Sequence, residues 1–404
     1  MRRTLPAVLC TLLAVTAHAA PLLAGSTNVS YSVWTISGSS VLVKFLLPTP
    51  VAQSLSGADV PVLTTRKLGD YLLQHLAVQA GGRDCPAVDQ GYDLGKIDPL
   101  AVEAGLYGFE ILFRCPGTTD LRLHNHALFA RAPGHIHFAR VEQNGRSSEQ
   151  LFTAGREELA IPDGIGVSAA GAGSYARLGA LHLAVGLDRL CFLLGTLLLM
   201  RRKEDAAYAF AALLAGYVLS MGVSAFGWIV PRASLLEAFM GLMVAVLAAF
   251  ITLRELRHPR VSAFGCPALF AVLALAAVFM HAPLAALVLF GGAVFAGSLL
   301  KVANWFPART WLVPVALVGF LDGFALPSAL APLHLSVSSQ LWMTAGFDAG
   351  AVLVAALVIG VPLGMYLLVG KRFKVATPRA LLNEVAAACL GGLGTFWLVS
   401  RLYA

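Results

Sequence analysis

The chain has 404 residues, 58% of them hydrophobic and only 13% charged, with a mean hydropathy of +0.75 and a formal net charge of +7. Ordinary soluble domains carry about 25% charged residues, so a water-soluble globule, a disordered chain and a coiled coil are all excluded. The basic excess does not point to nucleic acid: Lys and Arg fall between apolar runs, as the positive-inside rule requires, and no basic patch interleaved with aromatics occurs.

The first residues read as a processing signal. Met1-Arg2-Arg3 is followed by an apolar core from Leu5 to Val15 and by Ala17-His18-Ala19, a small-x-small cleavage pattern. This predicts a signal peptide over residues 1–20, with the mature chain starting outside the cytoplasm. The apolar run is short for a membrane anchor. Cys10 lies inside it with no small residue before it, against a lipoprotein signal.

Residues 21–170 are expected to form an extracytoplasmic β-rich domain. Short alternating runs bounded by Gly and Pro, at Val29–Ile36, Ser40–Leu47, Gly108–Arg114, Leu121–Phe129 and His135–Val141, predict an antiparallel β-sandwich. Residues 66–79 read as one short helix. Cys85 and Cys115 both fall here, and an oxidising compartment favours their pairing. Cys191, Cys266 and Cys389 lie in apolar runs and read as small buried hydrophobes. His124, His126, His135 and His137 form two His-x-His pairs around Arg131-Ala-Pro-Gly134. In a hairpin pairing 124 with 137 and 126 with 135, four imidazoles share a face and suit zinc, copper or nickel. A solvated strand face is the alternative.

Residues 174–404 read as a polytopic transmembrane domain. Apolar segments of spanning length occur at about 176–200, 206–230, 234–253, 262–281, 283–300, 311–330, 341–369 and 381–400, giving seven or eight spans. Residues 262–300 read as either a tight hairpin or a re-entrant element. Arg201, Arg202, Lys203, Arg254, Arg257, Arg260, Lys301, Arg309, Lys371, Arg372, Lys374 and Arg379 fall on one side, and only Arg232 and Arg401 on the other. This bias places the N-terminal domain outside a cell (inner) membrane crossed several times.

Ionisable residues at membrane depth cost about 2.5–3.5 kcal/mol each on insertion scales and therefore face a bundle interior. They are His182, Asp188 and Arg189 in the first span, Glu237 in the third, Asp322 in the sixth and Asp348 in the seventh. Converging, they form a transport or charge site; otherwise they pair internally and fix helix packing.

The stretch Gly179-Ala-Leu-His182-Leu-Ala-Val-Gly186-Leu-Asp188-Arg189 resembles the first-span signature of the HupE/UreJ family. Leu236-Glu237-Ala238, Gly319-Phe-Leu-Asp322-Gly323 and Phe347-Asp348-Ala-Gly350 look related to later family motifs. The resemblance implies a membrane bundle, in one branch behind an exported β domain, and a nickel or cobalt permease-like role. The departures are specific. The family's Asp-His reads Asp188-Arg189, its second-span His-Ser is replaced by alanines near Ala211-Ala212, its sixth-span His reads Asp322, and its seventh-span Asn and Glu read Asp348 and Val352. Residues 182 and 189 are spaced for one helical face two turns apart, yet a guanidinium has no lone pair for a metal. Arg189 then takes the place of the metal charge, neutralised by Asp322 or Asp348.

Two functions follow as expectations. One is a divalent metal cation transporter with degraded ligand motifs, the ion being substrate. The other is a non-transporting membrane scaffold whose β domain binds a protein partner. The lipid bilayer is a partner in both. No GxxxxGK[ST], GxSxG or HExxH motif supports an enzyme.

Overall fold

The computed structural model describes residues 29–48, 51, 61–88, 106–117, 119–130, 132, 135–161, 171–229, 231–255, 259–305, 309–333, 335–372 and 379–403. The expected signal peptide and Arg131, Pro133 and Gly134 lie outside them. Contacts divide the chain into two units, Met1–Ser174 with Ala329–Ser339, and Tyr175–Ser328 with Gln340–Ala404.

Among the described residues, the first unit has ten strands and one helix: β1 (Val29–Ser37), β2 (Ser40–Pro48), α1 (Pro61–His75), β3 (Leu76–Ala80), β4 (Arg83–Asp84), β5 (Ala87–Val88), β6 (Leu106–Arg114), β7 (Leu121–Asn125), β8 (Ile136–Gln143), β9 (Arg146–Thr153) and β10 (Glu158–Ile161). They form a six-stranded sheet in the order β5-β6-β2-β1-β8-β9 and a four-stranded sheet in the order β10-β7-β3-β4. Period-2 alternation of burial along β1, β2 and β7 sends one face of each strand into a common core. There Trp34, Val43 and Phe45 from one sheet join Val78 and Leu123 from the other, with Leu68 and Leu72 of α1.

Three expectations need correction. β1 and β8 run parallel, so the sheet is mixed. The helix ends at His75, because Leu-Ala-Val-Gln-Ala alternates and pairs with β7 as a strand. The proposed histidine hairpin does not form: β7 pairs with β10 and β3, whereas β8 pairs with β1 and β9 in the other sheet. Long-range pairing partners outcompeted the local one. The disulfide between Cys85 and Cys115 is present and joins the β4–β5 segment to the end of β6.

The second unit is helical: α2 (Ala172–Val185), α3 (Leu187–Leu199), α4 (Lys203–Ala225), α5 (Ala233–Glu255), α6 (Pro259–Phe279), α7 (Pro283–Trp305), α8 (Leu312–Asp322), α9 (Ala325–Leu330), α10 (Val337–Arg372) and α11 (Arg379–Leu402). Among the described residues, six helices are long and apolar enough to cross a bilayer, and the bent pair α2–α3 makes a seventh; α6 holds a shorter apolar stretch, Gly265–Phe279. Residues 262–300 thus form a hairpin of two helices, with His281 at φ +55° in the turn. α5 is central, buried continuously from Leu242 to Ile251. Large apolar side chains such as Leu219, Val272, Leu287 and Leu353 point outward, the inverse of a soluble protein and the surface a bilayer covers. Cys191, Cys266 and Cys389 are only half-buried.

Basic residues gather at one end of this unit. Arg254 Nη1 donates to the Leu199 carbonyl at 2.8 Å and its guanidinium stands 5.8 Å from the Trp311 ring, while Arg309 stands 3.9 Å over Tyr208. The ends of α3 and α5 and the starts of α4 and α8 therefore lie together.

Candidate functional site

One helix break and a set of glycine contacts build the site. α2 and α3 meet at 72°, and Gly186 between them is extended, with φ −69° and ψ 95°. A Cβ on Gly186 would lie 2.9 Å from Arg189 Cδ, so glycine clears the path of the arginine. Asp322 is the last residue of α8; Gly323 after it keeps helical dihedrals, φ −66° and ψ −15°, and Leu312–Leu333 reads as one span. Broken helices such as α2–α3 leave main-chain polar groups and helix ends inside a membrane bundle, where transporters place ion sites.

Glycine crossings bring this break and the end of α8 together. A Cβ on Gly350 would stand 1.8 Å from the Ala176 carbonyl oxygen, one on Gly319 2.2 Å from that of Leu213, and one on Gly394 2.5 Å from Ala245 N. Pairs α2–α10, α4–α8 and α5–α11 are thus in backbone contact, as small residues allow in membranes. Each crossing carries members of one charge cluster.

Arg189 is the hub. Its Nε lies 2.5 Å from Asp322 Oδ1, its Nη1 3.2 Å from Asp188 Oδ1, and its main-chain N–H donates to Asp188 Oδ1 at 2.9 Å. Asp322 also accepts from Tyr217 Oη at 2.6 Å and has His182 Nε2 at 3.2 Å. Arg401 Nη1 lies 2.7 Å from Asp188 Oδ2, and its Nε 3.6 Å from Glu237 Oε2. The ring of His182 is 5.2 Å from that of Phe347, next to Asp348. Asp188, Asp322 and Asp348 are buried. The charges of Asp188 and Asp322 are matched by guanidinium forks, the donors best suited to paired carboxylates.

Two members lie outside the set expected from sequence. Arg401 reads as an outer terminal residue, but α11 carries it inward to Asp188 and Glu237. Tyr217 follows Gly216 in an apolar span; a phenol buried there needs an acceptor, and that requirement was the available signal. The expected single helical face for His182 and Arg189 does not exist, since the break at Gly186 intervenes; both instead reach Asp322 Oδ1 from two helices.

The four expected β-domain ligands separate into two pairs. The rings of His124 and His126 stack at 6.1 Å, and His126 Nδ1 pairs with Glu157. His135 and His137 are buried in a polar chain: His135 Nε2 lies 2.7 Å and His137 Nδ1 2.6 Å from Ser30 Oγ, His137 Nε2 is 2.7 Å from Ser32 Oγ, and Trp34 Nε1 donates to Ser32 Oγ at 2.6 Å. Burial pushes His135 down to about 4 and His137 well below the usual imidazole value, the charge of His135 adding to the latter. With both rings neutral, each imidazole offers one donor and one acceptor nitrogen, so both serine hydroxyls are satisfied in either tautomer. Among the described residues no group of three or more His, Cys, Asp or Glu is arranged to hold a metal ion.

Comparison with known proteins agrees with the bundle. Residues 158–289 match the family model described as HupE / UreJ protein. The match contains His182, Asp188, Arg189, Tyr217 and Glu237, and ends before Asp322, Asp348 and Arg401. No curated protein matches the chain. The chain is a multi-pass membrane protein, and residues 158–289 of it are similar to the HupE/UreJ family.

Proposed function

We propose that the membrane unit is a divalent metal cation permease in which Arg189 and the substrate compete for Asp322. Arg189 touches Asp322 and Asp188 at once, beside a glycine break; this carries the reading. Withdrawal of the guanidinium toward Asp188 frees an oxygen donor on Asp322, with His182 and Asp348 nearby as nitrogen and oxygen donors of the kind that hold divalent ions. The basic residues at one end of the bundle and the Cys85–Cys115 disulfide support an inner-membrane location with the β unit on the oxidising, extracytoplasmic side. The likeness of residues 158–289 to HupE/UreJ proteins supports a membrane accessory or transport role. Uptake of labelled nickel, cobalt and manganese into proteoliposomes tests the proposal. Uptake that Asp322→Asn abolishes is expected; no uptake of any of the three, or uptake indifferent to Asp322→Asn, overturns it.

One observation favours a second reading, a membrane scaffold whose β unit binds a protein partner. Asp188 and Asp322 already hold arginines, so the cluster is complete without a substrate. Absent metal uptake, together with a stable partner captured by the full-length chain and retained by Asp322→Asn, would select this reading.

A further inference from the structure

Thr344 on α10 is fully buried, and its Oγ1 has no hydrogen-bond partner among the described residues. This is unusual within the bundle. Thr196, Thr252 and Thr395 each donate to the carbonyl four residues back, at 2.8 Å, the ordinary resting place of a helical threonine. On α4, Ser220 and Ser224 likewise donate to carbonyls of their own helix, at 2.8 Å and 3.1 Å. One turn further along α10, Asp348 is buried and its Oδ1 is also without a partner among the described residues. Buried polar atoms are nearly always hydrogen-bonded. Here two orphaned oxygens belong to residues four apart, spaced for one face of α10.

That face meets the charge cluster. Gln340, four residues before Thr344, donates through Nε2 to the Ser224 carbonyl of α4 at 3.2 Å. Asp348 is within electrostatic reach of Tyr217 on α4 and of Asp322 on α8. The nearby side-chain nitrogens are committed: His182 Nε2 and Arg189 Nε both sit on Asp322 Oδ1. The donors left over are oxygens, a hydroxyl and a carboxyl, with a second carboxylate beside them. Oxygen ligands suit magnesium, calcium and manganese, whereas imidazole suits nickel, copper and zinc. Magnesium keeps several waters and is held by only one or two carboxylates, so it needs no group of three His, Cys, Asp or Glu, and none is found among the described residues. Charge points the same way. Asp188, Glu237, Asp322 and Asp348 face only the guanidiniums of Arg189 and Arg401, so carboxyls outnumber guanidiniums in the cluster and a divalent cation offsets the excess.

We propose that Thr344 and Asp348, with Asp322 once Arg189 withdraws, form the seat of a hard, oxygen-coordinated divalent cation of the magnesium and manganese class, and that Thr344 sets this preference over nickel and cobalt. The inference rests on the permease reading and narrows its substrate. The threonine hydroxyl offers a lone pair, Asp348 supplies an anionic oxygen one turn away, and water completes the shell.

Manganese binding to the full-length protein in nanodiscs, followed by electron paramagnetic resonance, tests this, because the signal of free manganese falls as the ion binds. Wild type should bind manganese, magnesium should displace it, and Asp348→Asn should abolish binding. Thr344→Val keeps the side-chain shape without the hydroxyl. It should weaken manganese binding by about tenfold, the lower end of what a lost supporting group costs at a metal site, without lowering the melting temperature. Thr344→Ser should bind as wild type does, and Thr344→Cys should turn the preference toward zinc, which thiolate favours. Manganese that does not bind, that magnesium fails to displace, or that binds Thr344→Val as tightly as wild type overturns the proposal. Proteoliposome uptake reads the permease separately. Uptake that depends on Asp322 but is indifferent to Thr344→Val refutes the specificity alone, and absent uptake with Thr344-dependent binding refutes transport and leaves the cation seat.

Discussion

Arg401 Nη1 lies 2.7 Å from Asp188 Oδ2 and donates to the main-chain carbonyl of Glu237 at the same distance. One guanidinium near the end of the chain thereby ties α11 to the first turn of α3 and to α5. The membrane bundle is closed by charge as well as by packing.

Arg401→Ala should destabilise the bundle. Removing one partner of a buried pair costs roughly 3–5 kcal/mol, and the effect here should fall near the lower end, since Asp188 keeps Arg189. Thermal unfolding in detergent measures it. Arg401→Lys should recover only part, because one ammonium cannot serve both Asp188 and the Glu237 carbonyl with the reach of a guanidinium fork.

The pairing of Arg189 with Asp322 makes a double-mutant cycle informative. Arg189→Ala strands a buried carboxylate and should lower the melting temperature strongly. Arg189→Ala combined with Asp322→Ala should recover part of the loss. A double variant as damaged as the single one would show that the two side chains do not stabilise each other.

The buried histidines of the β unit predict acid sensitivity. His135 and His137 titrate lower when folded than when unfolded, so the unfolded chain binds more protons below the ordinary imidazole value of about 6.5. Their contribution is intact above that value. It falls with acidification by about 1.4 kcal/mol per pH unit for each group until the folded site titrates, near pH 4 for His135. Hydrogen exchange in residues 29–37 and 136–143 should accelerate between pH 7 and 5. Exchange in the helices, away from this chain of side chains, serves as the internal reference, and His137→Gln should weaken the dependence.

Gly319 and Gly222 offer a matched comparison. A Cβ on Gly319 meets the Leu213 carbonyl at 2.2 Å, whereas one on Gly222 meets nothing within 4 Å. Gly319→Ala should push α4 from α8, lower stability and weaken the contact of Tyr217 with Asp322. Gly222→Ala should be neutral or stabilising by about 0.5–1 kcal/mol, as Ala replaces Gly in a helix interior. Paired melting curves check both.

Most of the elements were legible because their signals are local. Trp34 and Val43 announce buried faces of strands through alternation, and the apolar lengths of α5 and α10 announce spans through their size. The break at Gly186 was not legible, since Leu, Val and Phe continue the helical pattern on both sides and nothing local marks a bend. His124 and His137 look like hairpin neighbours because a turn separates them, yet sheet partners are chosen by burial over the whole unit. The charged members of the cluster stood out by their cost in a bilayer. Arg401 did not, because its position near the end of an apolar segment resembles that of any interfacial anchor.

Composition and periodicity by themselves determined a membrane bundle with a β-rich unit before it, six charged or titratable side chains needing company, and two cysteines able to pair. Those properties follow from solvent transfer energies and covalent chemistry, which act residue by residue. Which acid meets which arginine was decided only by the tertiary structure. It depends on glycine crossings between helices far apart in sequence, where the absence of a Cβ sets the backbone distance and the distance selects the partner.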